Sequence, residues 1–88
     1  MEYTIDAKGI YTAEEFYSLL GEYISIPDYF GNNLDGLNDL LTDINKETII
    51  TVINLEDMES VMPKFVRGIK RLSENINKEN LKVKLYIK

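Results

Sequence analysis

The chain has 88 residues, with 10 lysines and arginines against 15 aspartates and glutamates, and no histidine, cysteine or tryptophan. This length fits one domain, residues 1–88, with a modest hydrophobic core. The composition excludes disulfides, zinc–thiolate sites and catalysis by cysteine or imidazole, and the net charge of −5 disfavours nucleic acid as the main partner.

The first elements predicted along the chain are a short strand and an amphipathic helix. Apolar residues alternate with polar ones over residues 2–7, which predicts a strand. Thr12 and Glu15 form a capping-box pattern, so a helix is expected to begin after Thr12 and to end near Ser25, ahead of a proline. The apolar residues expected on its buried face are Phe16, Leu19, Leu20, Tyr23 and Ile24.

A second helix is predicted after a compact connector. Pro27 and Gly31 frame a segment that suits a single helical turn, and Asn33 is a favourable N-cap for a helix over residues 34–44. At ~100° per residue, apolar and acidic side chains fall on opposite sides of this helix. The apolar side holds Leu34, Leu37, Leu41 and Ile44, and the acidic side holds Asp35, Asp39 and Asp43.

The β-branched run over residues 48–53 predicts a buried strand of a parallel sheet. Asn54 is expected to cap a short helix over 55–62, which Pro63 then breaks.

Pro63 also suits the start of a fourth helix, over residues 64–76. Three asparagines then indicate a loop: Asn75, Asn77 and Asn80. An alternating strand over 81–87 follows, and its lysines suit the edge of a sheet.

The predicted order is therefore β-α-α-β-α-α-β. Strands joined by helical crossovers imply a three-stranded parallel sheet with the helices packed on one side, which is a two-layer α/β domain. Residues 1–9 carry acids without an apolar run, and no stretch approaches the roughly 18 apolar residues of a membrane span. We therefore expect a cytoplasmic protein without a membrane segment.

Charge is unevenly distributed along the chain. Residues 1–63 carry a net charge of −11, whereas residues 64–88 carry +6, and seven acids lie between Lys8 and Lys46 without any base. Such asymmetry indicates an electrostatic role for one face. The basic residues of the fourth helix are expected to form a solvated face, or alternatively to bind RNA, although no aromatic or glycine platform accompanies them.

Two local features destabilise the acidic helix. Aspartates four residues apart repel each other by a few tenths of a kcal/mol, and Gly36 in the helix interior costs up to about 1 kcal/mol. These destabilising features indicate that the helix forms a surface for a partner. Gly36 would let the partner approach closely, and Tyr29 and Phe30 would add contact groups to the surface. One of these two aromatic residues is expected to be buried and the other exposed. The alternative is an acidic face that only confers solubility.

Chemistry at this acidic segment is a weaker hypothesis. Three aspartates on one helix face could hold a divalent cation loosely, but the glycine spacing of an EF-hand is not met. A hydrolase based on two carboxylates needs a cleft and a tuned acid, for which this small domain has little room. We predict neither enzymatic activity nor a cofactor.

Residues 26–42, IPDYFGNNLDGLNDLLT, resemble the signature of the barstar family, intracellular inhibitors of the ribonuclease barnase. The shared pattern is a proline, an acid, two aromatic residues and glycine, then Asn-Leu-Asp and a second aspartate before Leu-Thr. The resemblance extends over the whole length and the element order. It implies a monomeric binding module that blocks the active site of a secreted, guanyl-preferring ribonuclease.

By position, the resemblance implies that Tyr29 packs against the enzyme, that Asn33 and Asp35 hydrogen-bond to it, and that Asp39 enters its phosphate pocket. The alternative is a module of the same fold directed at a different basic toxin or regulatory partner. The complete set of expected partner-binding residues is Tyr29, Phe30, Asn33, Asp35, Gly36, Asn38, Asp39, Asp43 and Glu74.

Several positions depart from the family pattern. Asn38 stands where the family often has tryptophan, and a further family acid on the last helix is matched best by Glu74, with Asn75 as the alternative. Leu40 and Lys82 stand where barstar has cysteines. The departures and the basic C-terminal third bear on the identity of the target more than on the fold.

Overall fold

The computed structural model describes residues 1–27, 30–79 and 82–88. Its elements are β1 (Glu2–Asp6), α1 (Ala13–Gly21), α2 (Leu34–Thr42), β2 (Thr48–Ile53), α3 (Glu56–Val61), α4 (Pro63–Glu79) and β3 (Val83–Ile87). The predicted element order is confirmed.

All three strands are parallel and follow the order β1-β2-β3, so β2 is central. Side chains in register on the inner face, such as Ile5 beside Val52 and Ile50 beside Leu85, are buried. On the outer face Ile49 is 38% exposed and Tyr86 is also exposed. The helices therefore cover one face, as a two-layer domain requires, and the prediction that β2 is buried throughout is wrong for its outward side chains.

The core lies between this inner sheet face and the apolar sides of the helices. Every helix contributes at least one fully buried side chain, and the largest of these are Phe16, Leu37, Leu41, Met58, Ile69 and Ile76. The regular apolar spacing of α4 places Val66, Ile69, Leu72 and Ile76 toward the core.

The first helix is shorter than predicted. It ends at Gly21, where the chain tightens: the N–H of Glu22 bonds to the carbonyl of Leu19, and that of Tyr23 to the carbonyl of Leu20. Tyr23 consequently leaves the helix, contacts the ring of Tyr3 edge-on at 5.8 Å and remains 38% exposed. The prediction that Tyr23 lies in the core is therefore wrong.

Two further boundaries differ. The second helix ends at Thr42 rather than at residue 44. Asn54 does not cap α3, because its backbone is left-handed, with φ of 61°, and its amide donates to the Asp6 carboxylate at 2.9 Å. The Asn54 amide, together with the N–H of Lys8, lowers the pKa of Asp6. Asn54 thus joins the ends of β1 and β2.

The fourth helix continues to Glu79, so the predicted loop is wrong at Asn75 and Asn77, while Asn80 lies outside the described residues. Asn77 is helical and half-buried, and its amide pairs with one residue of β3. It donates to the carbonyl of Leu85 at 2.8 Å and accepts from the N–H of Leu85 at 2.7 Å. Because β3 is an edge strand, Asn77 gives the backbone of Leu85 the hydrogen-bond partners that a fourth strand would otherwise provide.

Asn77→Ala is expected to destabilise the protein by about 1–3 kcal/mol, because both of these hydrogen bonds are lost. Asn75→Ala is the matched control, since it changes helix propensity equally at an exposed position of the same helix. Urea denaturation of both variants measures the difference. Equal free energies of unfolding would show that the Asn77–Leu85 pair contributes nothing.

Candidate protein-binding site

The solvent side of α2 carries three carboxylates on successive turns. Asp35, Asp39 and Asp43 are all exposed, whereas Leu37 and Leu41, on the other side of the helix, are each 2% exposed. The exposed aspartates and the buried Leu37 and Leu41 agree with the predicted division of this helix, whereas Ile44, predicted on its apolar side, lies beyond the end of α2. In the part of the chain that the structure describes, the one ion pair joins Lys70 to Glu59, so these three carboxylates have no cationic partner there.

Asn33 begins α2 as predicted. Its backbone is extended, and its side-chain oxygen accepts the N–H of Gly36 at 2.6 Å. This bond satisfies one of the free N–H groups at the helix start. The dipole of α2 favours the negative charge of Asp35 in the first turn and opposes that of Asp43 at the C-cap.

Phe30 joins the connector to α2. Its ring meets Tyr17 of α1 edge-on, with centroids 5.2 Å apart. On the other side, its Cε1 lies 3.0 Å from the position that a Cβ on Gly36 would occupy. The space left by Gly36 is therefore filled by an aromatic ring of the same chain. Phe30 is half-buried, and Tyr29, predicted beside it as a contact residue, lies outside the described residues.

A shallow cleft of about 170 Å³ lies beside this ring on the acidic side of α2. It is lined by Phe30, Gly31, Gly36, Asp39, Leu40 and Asp43. The combination of apolar surface with two exposed carboxylates suits the side chain of an incoming lysine or arginine, whose alkyl stem and charged head need different surroundings.

A second groove, of about 290 Å³, separates α2 from α4. Asp35 and Asn38 line it from α2, and Arg71 and Asn75 line it from α4. Of the two residues considered as matches for the further family acid, the structure brings Asn75 to this groove. Glu74 is exposed on the same helix and is not among the lining residues.

Tyr17 was not among the residues predicted to be buried, although its spacing from Ala13, Leu20 and Ile24 is helical. Tyr17 is buried and contacts the rings of Phe30 and Phe65, so it supports the connector from below. Its hydroxyl has no hydrogen-bond partner among the described residues. Burial raises the pKa of this phenol.

Within residues 1–27, 30–79 and 82–88, no three acidic side chains are grouped closely enough to hold a metal ion. None of the helices described has the length and apolar character needed to cross a membrane.

Comparison with known proteins adds one finding to this geometry. A sequence model of a family described as barstar (barnase inhibitor) matches residues 1–88, the whole chain. No curated protein matches the chain significantly.

Phe30 and Gly36 should be energetically coupled. Gly36→Ala gains helix propensity but forces the Phe30 ring to move. We expect the change in unfolding free energy caused by Gly36→Ala to be about 1 kcal/mol less favourable in the native chain than in a Phe30→Leu background. A double-mutant cycle of unfolding free energies measures this coupling. Additive effects would mean that the ring does not depend on the glycine.

Tyr17→Phe is expected to leave stability at neutral pH unchanged or to raise it by about 1 kcal/mol, because it removes a buried hydroxyl without a partner. The folded-state pKa of Tyr17 is above the unfolded value of about 10, so the folded state favours the neutral phenol. The stability that this preference contributes is fully present below about pH 10. This contribution is lost as the pH rises through the folded pKa.

Thermal unfolding between neutral and alkaline pH tests this expectation. The Tyr17→Phe protein should lose less stability at high pH than the native protein. The control variant Tyr23→Phe, which changes an exposed ring, should lose as much stability as the native protein. Parallel curves for the native and Tyr17→Phe proteins would contradict the assignment.

Proposed function

The chain belongs to the barstar family, and we propose that it is an inhibitor that binds and blocks the active site of a cationic, barnase-like secreted ribonuclease. The binding surface in this proposal is the solvent side of α2 together with the segment before it. As an intracellular inhibitor it would act as a monomer in the cytoplasm.

The observation that carries the proposal is the row of uncompensated carboxylates Asp35, Asp39 and Asp43 on a rigid helix. A ribonuclease holds the phosphates of RNA with cationic side chains. A carboxylate presented at the same place accepts charge-assisted hydrogen bonds from those cations and so occupies the site in place of phosphate. The inhibitor needs no catalytic group of its own.

Asp39 is the central residue of the proposed surface. It stands between the other two aspartates and lines the cleft beside Phe30, where a cationic side chain can reach both apolar surface and negative charge. In this proposal Asp39 enters the phosphate pocket and Tyr29 packs against the enzyme, as the family resemblance implies.

Asn33 and Asp35 would contribute hydrogen bonds at the start of α2. The side-chain oxygen of Asn33 accepts the Gly36 N–H, and its amide NH2 group can donate to the ribonuclease. Asp35 is exposed, so its carboxylate can accept hydrogen bonds from the enzyme. Because the cap also holds α2 in place, these contacts would cost little conformational entropy.

The charge distribution favours rapid encounter. Residues 9–45 contain no lysine or arginine, so the surface that these residues form carries only negative charge and attracts a cationic enzyme. Complementary charge of this kind mainly raises the association rate and diminishes with salt.

A different basic toxin or a regulatory protein is the second candidate target. Asn38 replaces a tryptophan that the family often has, and Asn38 lines the groove between α2 and α4. A smaller polar side chain at this place removes an aromatic contact and so favours a target with a different surface there. A carboxylate hydrolase is a weaker candidate, because Asp39 and Asp43 are exposed and an acid catalyst needs a desolvated carboxyl group.

Asp39→Asn should weaken inhibition of a barnase-like ribonuclease by more than about 10-fold, since hydrogen bonds to a charged group contribute about 1.5–3 kcal/mol. Glu22→Gln is the matched control, because it removes one exposed negative charge away from α2. Inhibition constants measured at low salt report both effects.

Equal inhibition by the two variants would contradict a role for Asp39. Absence of inhibition by the native protein at micromolar concentration would exclude this ribonuclease class as the target and leave the second candidate.

A further inference from the structure

We propose that Arg71 contacts the target and selects targets that present an acidic side chain beside a basic side chain. This inference rests on the proposed function of α2. In this view the target surface is not uniformly cationic. Its basic group faces Asp35, and its acidic group enters the groove between α2 and α4 and meets Arg71.

The geometry places both charges in one groove. Asp35 lies on the α2 side and Arg71 on the α4 side, with Leu34, Gly68 and Leu72 also among the lining residues. Asp35 also belongs to the proposed binding face. A protein that contacts Asp35 and Asp39 together would therefore lie at the edge of the groove that Arg71 lines.

The Arg71 guanidinium is available to such a protein. Its side chain is exposed, and no described carboxylate forms an ion pair with it, since the one pair found in the described residues involves Lys70. Guanidinium binds a carboxylate through two parallel hydrogen bonds. The amides of Asn38 and Asn75, which line the same groove, offer further donors.

Selectivity follows from the cost of a mismatched target. A lysine or arginine placed opposite Arg71 would bring like charges together in a surface from which water is partly removed, which weakens binding. Asp35 would likewise disfavour an acidic group that lacks a basic neighbour. The groove thus favours a pair of opposite charges.

The groove is held by a close approach of the two helices. A Cβ at Gly68 would lie 2.5 Å from Cδ1 of Leu34, so a larger residue there would require the Leu34 side chain of α2 to move. Glycine in a helix interior is less favourable than alanine. The close contact sets the position of Arg71 relative to the acidic face.

Two charge reversals on α4 test the contact. Arg71→Glu and Arg67→Glu change the net charge equally on the same helix, and Arg67 is exposed but does not line the groove. With a barnase-like ribonuclease as the probe, Arg71→Glu should weaken binding at least about 10-fold more than Arg67→Glu, chiefly through faster dissociation, because it places an acid opposite the acidic group of the target. Equal effects of the two reversals overturn the proposal, provided that thermal unfolding shows both variants folded.

A second experiment does not depend on inhibition. Acetylated Lys-Glu-Lys and Lys-Gln-Lys peptides at millimolar concentration are titrated into the isotope-labelled protein. The glutamate peptide should shift the backbone amide signals of Leu34, Gly68 and Leu72, and these shifts should be absent in Arg71→Glu. No shift, or equal shifts with the glutamine peptide, overturns the proposal.

The two experiments separate the possible failures. If neither the native protein nor any variant binds the ribonuclease, the proposed function fails for that target, and the peptide titration still decides the role of the groove. If Asp39→Asn weakens inhibition while the two arginine reversals behave alike, the proposed function stands and the inference about Arg71 is wrong.

Discussion

The burial of one side of α2 is the constraint on which the binding surface depends. Leu37 and Leu41 are packed in the core, and the helix cannot rotate without exposing them. The aspartates on the other side are therefore held toward solvent, at a spacing of about 5.4 Å per turn. A row of carboxylates that repel one another persists because the apolar side of the helix holds it in place.

The beginning of α2 is fixed by contacts of a different kind. Phe30 fits between Tyr17 of α1 and the bare backbone at Gly36, while Asn33 caps the helix. These contacts make the connector and the first turn of α2 one packed unit. A surface organised before binding loses little conformational entropy when a partner arrives, which favours tight association.

The opposite charges of the two ends of the chain meet in the folded protein. The net charge of −5 is the difference between an acidic region, residues 1–63, and a basic one, residues 64–88. Packing of α2 against α4 puts Asp35 and Arg71 into one groove. The boundary between the regions is thus part of the proposed surface, where it can distinguish among cationic targets.

Much of the fold and of the candidate site could be predicted from local sequence patterns. Alternation and helical spacing are properties of neighbouring residues, so the element order, the parallel sheet, the Thr12 and Asn33 caps and the acidic side of α2 were all predictable. The errors lie where distant residues decide. Asn77 remains helical because it pairs with Leu85, and Asn54 takes a left-handed backbone while its amide binds Asp6.

The sequence by itself therefore determined which residues form α2 and which of its sides is acidic, because amphipathic periodicity is a local property. Only the tertiary structure decided that Gly36 serves Phe30, that Tyr17 lies beneath that ring, and that Asn75 rather than Glu74 lines the groove with Arg71. Each of these depends on the distance and rotation between separate helices. Those quantities are set by the packing of the whole core and leave no signal in local spacing.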